Sequence, residues 1–259
     1  MNEKIGLYIT TYNSEAYFKK LYESIPFNKI DELVVVNGGD VYTNKYEGDW
    51  IQHNKNHYPA FCRNDGIVAL MNRKCTHIFG CEDDMIIKNP NIFDKYINAS
   101  KESNIKYFCF VSTSWGSGTP FKRTPKANIE YKNNVVLSFY PNMCNEFTYF
   151  NSEVFDSVGI YDDEFRYIFD IDMVYRISQT NYMSPFWWFP DVYNSDEYIM
   201  NNPDSLSRLN SENKRDKHLP AEFEMFKQKH NISLQEIINP DLNILKTKLK
   251  VVINGKQQG

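Results

Sequence analysis

Two acidic clusters are the residues of this chain whose types and spacing could do chemistry. Glu82-Asp83-Asp84 closes the run Thr76-His77-Ile78-Phe79-Gly80-Cys81, and Asp170-Ile171-Asp172 opens Met173-Val174-Tyr175-Arg176-Ile177. The first run reads as a buried strand, the second as a helix. Carboxylates at the end of a strand in an α/β sheet sit in the crevice where such folds bind ligands. One cluster there can hold a divalent cation through hard oxygen ligands, and a second can act as a base on a substrate hydroxyl. Surface turns also collect Asp and Glu, so either cluster alone has an ordinary explanation. Together, and with the companions below, they favour an enzyme.

The elements that must carry these residues follow from hydrophobic pattern. Ile5 to Ile9 is a short apolar run and Leu33-Val34-Val35-Val36 a clearer one, turned by Asn37-Gly38-Gly39-Asp40; both read as buried strands. Between them Phe18, Leu21, Tyr22 and Ile25 recur at helical spacing before Pro26. Trp50-Ile51-Gln52 is a weaker strand. Pro59 suits a first helical turn, and Phe61, Ile67, Val68, Leu70 and Met71 give that helix an apolar face. A polar helix is expected over 91–103 and a strand over 107–112. Further on, 135–151 reads as irregular strands, 152–158 as a short helix stopped by Gly159, 187–190 as a buried strand and 220–230 as a helix. Alternating strands and helices predict a mostly parallel sheet flanked by helices.

Composition narrows the classes. A chain of 259 residues can bury a sizeable core, and 18 Tyr with 18 Phe supply β-like runs such as Tyr107-Phe108-Cys109-Phe110-Val111. A formal net charge of −4 provides no basic field for nucleic acid. Five cysteines without a C-x-x-C pair suit a reduced, cytoplasmic protein. No leader and no membrane-spanning run is read in the sequence. The segment 112–120 is rich in small residues around one Trp and reads as a flexible loop or a lid. Near the C-terminus, Ile244, Leu245, Leu249 and Val251 alternate with Lys246, Lys248 and Lys250. That pattern suits either a docked segment or peripheral contact with the inner face of a membrane.

Taken in order, the pieces form a series: Thr10-Thr11-Tyr12-Asn13, Val36-Asn37-Gly38-Gly39-Asp40, Arg63-Asn64-Asp65-Gly66-Ile67, Glu82-Asp83-Asp84, then Asp162-Asp163 before Asp170-Ile171-Asp172 and Arg176. The series resembles the GT-A glycosyltransferases, in particular the inverting family 2 that uses nucleotide-diphosphate sugars, over roughly residues 4–180. The resemblance implies a GT-A (Rossmann-like) catalytic domain over 1–200, divided into a nucleotide-sugar half (1–104) and an acceptor half (105–200), with 201–259 as a C-terminal extension. It implies a nucleotide pocket lined by Thr11, Tyr12, Asn13 and Asn37, although Asn13 could equally cap the following helix. Arg63 and Asn64 would face the diphosphate, and Gly66 inside the helix hints at close packing. Glu82 and Asp83 would serve the donor, and Asp84 would ligate Mn²⁺ or Mg²⁺, with His218 as a further ligand. Asp170 would be the general base that removes a proton from the acceptor hydroxyl, while Asp172 and Arg176 hold its helix.

The resemblance makes a UDP-sugar the first expectation for the donor, a GDP-sugar the second, and a glycan or glycolipid the acceptor. Four positions depart from the family pattern: Thr10, Val36-Asn37 in place of an aspartate pair, Glu82 and Phe169. Two other readings compete. One is a non-catalytic nucleotide- or sugar-binding module on the same scaffold. The other is a sugar-phosphate nucleotidyltransferase, which the absence of a Gly-rich basic N-terminal loop disfavours.

Overall fold

The computed structural model describes residues 3–55, 57–110, 124–125, 127–140, 146–182, 188–205, 218–234 and 236. The expected loop at 112–120, Trp187, most of the polar stretch between 201 and 217, and the basic segment at 242–250 lie outside these residues.

The sheet is built on the apolar runs. Strands β1 (Ile5–Thr11), β2 (Glu32–Asn37), β3 (Asp49–Gln52) and β4 (His77–Glu82) pair in parallel in the order β3-β2-β1-β4. Leu7, Tyr8 and Ile9 of β1 and Val34, Val35 and Val36 of β2 are essentially inaccessible to solvent, as strands covered on both faces must be. Two strands extend the sheet beyond β4. β9 (Phe147–Asn151) runs antiparallel to β4, and β6 (Tyr107–Cys109) runs antiparallel to β9. The sheet is therefore mostly parallel, with one reversed strand, β9, between β4 and β6.

Helices α1 (Glu15–Ser24), α2 (Pro59–Asn72) and α3 (Asn91–Ser103) fall on the expected spans, with Pro59 opening α2. The close packing expected at Gly66 is present. A side-chain carbon there would stand 2.6 Å from the Tyr8 ring, and one at Gly80 would stand 2.2 Å from the Tyr8 hydroxyl. Two glycines thus clear the passage of one tyrosine between α2 and β4.

Smaller elements complete the fold. β8 (Val136–Tyr140) pairs with β7 (Ala127–Glu130) and β10 (Phe189–Val192) in a three-stranded antiparallel sheet. The Tyr96 hydroxyl of α3 donates to Asp191 of β10 at 2.6 Å, fastening this sheet to the helical layer. β5 (Met85–Ile87) pairs with β11 (Ile199–Asn201), a ribbon that the sequence pattern did not announce. Helix α4 (Glu153–Val158) ends at Gly159, whose φ of 73° lies in the left-handed region, and α5 (Phe169–Ser178) carries the second acidic cluster. The last described helix is α6 (Leu219–His230). No helix among the described residues is long and apolar enough to cross a membrane.

Candidate active site

The chain passes from β1 to β2 on one side and returns to β4 on the other. The crevice at the carboxyl ends of β1 and β4 is therefore the topological switch point of the sheet. Register places Thr10 opposite Glu82, so Thr11 and the Glu82-Asp83-Asp84 turn face each other across it. Thr11 Oγ1 donates to Asp83 Oδ2 at 2.5 Å, and the Tyr12 amide reaches the same oxygen at 3.3 Å. The hydroxyl of Tyr42 pairs with Thr11 Oγ1. Burial, opposed by the Thr11 hydrogen bond and reinforced by the charges of Asp84 and Glu82, pushes the Asp83 carboxyl up to about 7, even though part of the side chain still meets solvent.

The three carboxylates of this turn diverge. Glu82 pairs with Arg63. Asp84 is buried at 5 % exposure and accepts from the Ser205 hydroxyl, while its carbonyl accepts from the Asn202 amide at 2.6 Å. The residues that approach Asp84 from the C-terminal side are therefore Asn202 and Ser205, which no motif in the sequence marked. His218 stands elsewhere. It is exposed at the start of α6, with its ring centroid 6.0 Å from that of Tyr167. Among the described residues no group of three or more His, Cys, Asp or Glu is gathered closely enough to hold a metal.

Arg63 runs from the Glu82 turn to the ring of Phe169 at the start of α5. It is buried at 3 % exposure, paired with Glu82, and lies 5.2 Å from the Phe169 ring centroid and 6.0 Å from that of Tyr161. Burial works against its charge. Glu82, and then Tyr161, Tyr8 and Asp170, outweigh that cost and hold the guanidinium firmly cationic. Asp170, in the first turn of α5, accepts from the amide of Ile171 at 2.9 Å and shares the field of Arg63. The guanidinium is thus engaged by an acid of its own rather than presented to solvent. Asn64 serves the same seam: its amide group donates to the Tyr161 carbonyl at 2.8 Å and accepts from the Tyr161 amide at 2.9 Å. It staples α2 to the loop that leads into α5.

Asn13 and Asn37 hold backbone beside the ends of β1 and β2. Ser14, not Asn13, is the N-cap residue of α1; Asn13 has φ of 51° and accepts from the Asp40 amide at 2.7 Å. Asn37 is fully buried. Its amide nitrogen donates to the Asp40 carbonyl at 2.7 Å and to Gln52 at 3.0 Å, and its oxygen accepts from the Gly39 amide at 2.9 Å. The Gly38-Gly39 turn is thereby locked beside Tyr12, which remains half exposed.

Asp172 is fully buried on α5 and anchors two cations and an imidazole. Arg176 Nε donates to it at 2.8 Å, Lys229 Nζ at 2.7 Å, and His230 Nε2 lies at 2.8 Å. Burial alone would raise its pKa; the Lys229 hydrogen bond, the Arg176 charge and the His230 contact overcome this and leave it lowered. Arg176 also donates to the Ile160 carbonyl at 2.9 Å and to that of Val158, so the loop before α5 is held by the same side chain. Lys229 and His230 were not legible as partners because they lie 57 and 58 residues away in sequence.

No protein-family model and no curated protein sequence matches the chain. Solved structures do. TarS 1–349 of S. aureus is 17 % identical, with 76 % of this chain and 60 % of that one covered at a TM-score of 0.53. A longer TarS structure gives 0.55 at 17 % identity, covering 76 % of this chain and 36 % of that one. GalNAc-T7, solved with UDP, GalNAc and Mn²⁺, gives 0.53 at 12 % identity, covering 95 % of this chain and 57 % of that one. The chain thus spans about 60 % or less of the length of these structures. It has a GT-A fold.

Within a GT-A fold the switch-point turn is the place to test for a cation. The donor types suit a hard divalent ion, because Glu82, Asp83 and Asp84 offer only carboxylate oxygens, while in this structure the three turn to separate partners, Arg63, Thr11 and Ser205.

Proposed function

We propose that the protein is a metal-assisted glycosyltransferase that moves a sugar from a nucleotide-diphosphate donor to an acceptor hydroxyl. The observation that carries this reading is the crevice at the carboxyl ends of β1 and β4 of a GT-A fold, where Thr11 faces the Glu82-Asp83-Asp84 turn and the buried Arg63 pairs with Glu82. Thr11, Tyr12 and Asn13 line the nucleotide edge, and Asn37 acts on it through the turn it locks. Glu82 and Asp83 form the floor beneath the diphosphate, and Asp84 is the residue assigned to Mn²⁺ or Mg²⁺. When bound, the ion neutralises the charge that builds on the departing diphosphate. His218 enters the metal site only if the region around the start of α6 moves toward Asp84.

On the acceptor side Asp170 takes the proton of the attacking hydroxyl. The freed oxygen forms a bond to the anomeric carbon as the bond to the diphosphate oxygen breaks, and the leaving group keeps that electron pair. Direct attack of this kind inverts the anomeric configuration. Arg63, held between the rings of Phe169 and Tyr161, fixes the distance between the two carboxylate sites. A UDP-sugar is the first donor to try, in keeping with the UDP, GalNAc and Mn²⁺ bound in GalNAc-T7; a GDP-sugar is the second. The acceptor is a glycan or glycolipid.

The burial of Asp84 under the 202–205 turn favours a second reading, a binding module that holds nucleotide without turnover. One experiment separates the two. Thermal stability is measured against UDP, GDP, CDP and dTDP, with and without Mn²⁺, in the wild type and in Asp84→Asn. A ligand at a hundred times its Kd adds about 2.7 kcal/mol to stability. A shift with one nucleotide that requires Mn²⁺ and disappears in the variant is the expected result. A Mn²⁺-independent shift that survives in the variant supports the module, and no shift with any nucleotide sinks both.

A further inference from the structure

Helix α6 lies beyond the sequence motifs of residues 4–180, yet it is fastened to the helix of Asp170 at both of its ends. At one end Glu222 is buried, and its two carboxylate oxygens accept from the main-chain amides of Arg166 (3.1 Å), Tyr167 (3.0 Å) and Ile168 (3.1 Å). These amides lead directly into α5, where a helix leaves donors without intrahelical partners. The residue at the N-cap of α5 is Ile168, which has no side chain able to cap. The cap is therefore supplied from 54 to 56 residues away by a carboxylate, the charge that a helix N-terminus favours.

At the other end Lys229 and His230 close on the buried Asp172, and Lys229 also reaches Asp162 at 2.7 Å. Between the two anchors Phe226 is fully buried, its ring 5.5 Å from that of Tyr175 and 6.4 Å from that of Phe165. Asp170 falls between Ile168 and Asp172, the two points that α6 grips. Without Glu222 the buried Ile168 amide would be unmatched and those of Arg166 and Tyr167 would lose the carboxylate that orders them, so the turn that carries Asp170 would loosen before the rest of α5.

We propose that α6 is a splint that sets the position of Asp170, with Glu222 as its positioning residue. This rests on Asp170 being the base, and the test is arranged so that the two ideas can fail separately. Amide hydrogen exchange is followed over 166–172 in the wild type, Glu222→Gln and Glu222→Asp, with 59–72 in α2 as the internal reference. Exchange over 166–172 is expected to rise about tenfold or more in Glu222→Gln, as loss of hydrogen bonds to a charged group implies, with a smaller rise in Glu222→Asp and no change in α2. Unchanged exchange in Glu222→Gln overturns the splint.

The same proteins are then assayed for hydrolysis of the nucleotide sugar that the wild type cleaves fastest in a panel of UDP- and GDP-sugars. kcat should fall about tenfold or more in Glu222→Gln while KM for the donor stays within about twofold, with partial recovery in Glu222→Asp. Faster exchange with kcat untouched reduces α6 to a purely structural role and overturns the positioning claim. Hydrolysis that is undiminished in Asp170→Asn, or absent in the wild type, defeats the reading of Asp170 as base, and the exchange result still decides whether α6 is a splint.

Discussion

The two acidic clusters are built in opposite ways. Around Glu82-Asp83-Asp84 each carboxylate has a partner of its own, Arg63, Thr11 and Ser205 respectively, and the backbone is fixed by sheet register. Around Asp170-Ile171-Asp172 the support converges: Arg176, Lys229 and His230 meet on Asp172, and Glu222 holds the amides that lead into the helix. A strand end in a parallel sheet is rigid because its neighbours on both sides pair with it, so its side chains are positioned before any of them finds a partner. The first turn of a helix has no such frame, and its free amides must be met from outside. Donor binding should therefore survive the loss of a single partner better than catalysis survives the loss of α6.

That contrast can be broken in graded steps. The largest effect is expected from Asp170→Asn, which should lower turnover by about 10²–10⁴-fold, the range for removing a general base, with the affinity for UDP and Mn²⁺ unchanged in a binding titration. A matching loss of UDP affinity would show that the two clusters are not separate in function. Next comes Asp172→Asn. Removing one member of a buried ion cluster leaves its cations unmatched, and urea unfolding should show a loss of roughly 3 kcal/mol at neutral pH, at the lower end because Lys229 partly reaches solvent.

The same variant carries a pH signature. The Asp172 pKa is lowered in the folded state, so its stabilisation is complete above the ordinary aspartate value and is lost as the pH falls through the lower folded value. The stability curves of the wild type and Asp172→Asn should accordingly converge in acid and separate as the pH rises. A constant gap from acid to neutral would mean that the contact acts through packing and not through charge.

A smaller loss is expected at the sheet. Gly66→Ala places a carbon 2.6 Å from the Tyr8 ring, and overpacking of this kind costs about 1–3 kcal/mol. Its effect should appear in the melting temperature, because Tyr8 is a fully buried side chain of the central strand β1. The smallest is Asn64→Ala, which removes two hydrogen bonds to Tyr161 at a cost of about 1–2 kcal/mol. If Asn64 staples the halves and touches no donor, turnover should fall while the Kd for UDP holds. A weaker Kd for UDP alone would return Asn64 to the nucleotide pocket.

Much of the fold was legible because it follows from local patterns. The continuous apolar runs of β1, β2 and β4 could only be doubly covered strands, and Pro59, Pro26 and Gly159 punctuated helices where helices begin or end. The ribbon of β5 and β11 was not legible, since three-residue strands leave no period to read. The side-chain assignments diverged for a related reason. Arg63, Asn64 and Asn37 have the residue types of ligand-binding groups, but burial next to Glu82, Tyr161 and the 37–40 turn directs their polar atoms inward.

By itself the sequence determined the layered α/β architecture, the placing of one acidic cluster at a strand end and of the other in a first helical turn, and the weak basis for nucleic-acid binding. These depend on hydrophobic period, turn residues and net charge, which are properties of short stretches or of totals. Only the tertiary structure decided which polar groups face each other: that Arg63 is buried against Glu82, that Ser205 rather than His218 meets Asp84, and that Glu222, Lys229 and His230 clasp the helix of Asp170. Hydrogen bonds and ion pairs act over a few ångströms between residues that can be dozens of positions apart, and a single sequence carries no local record of which distant residue will arrive.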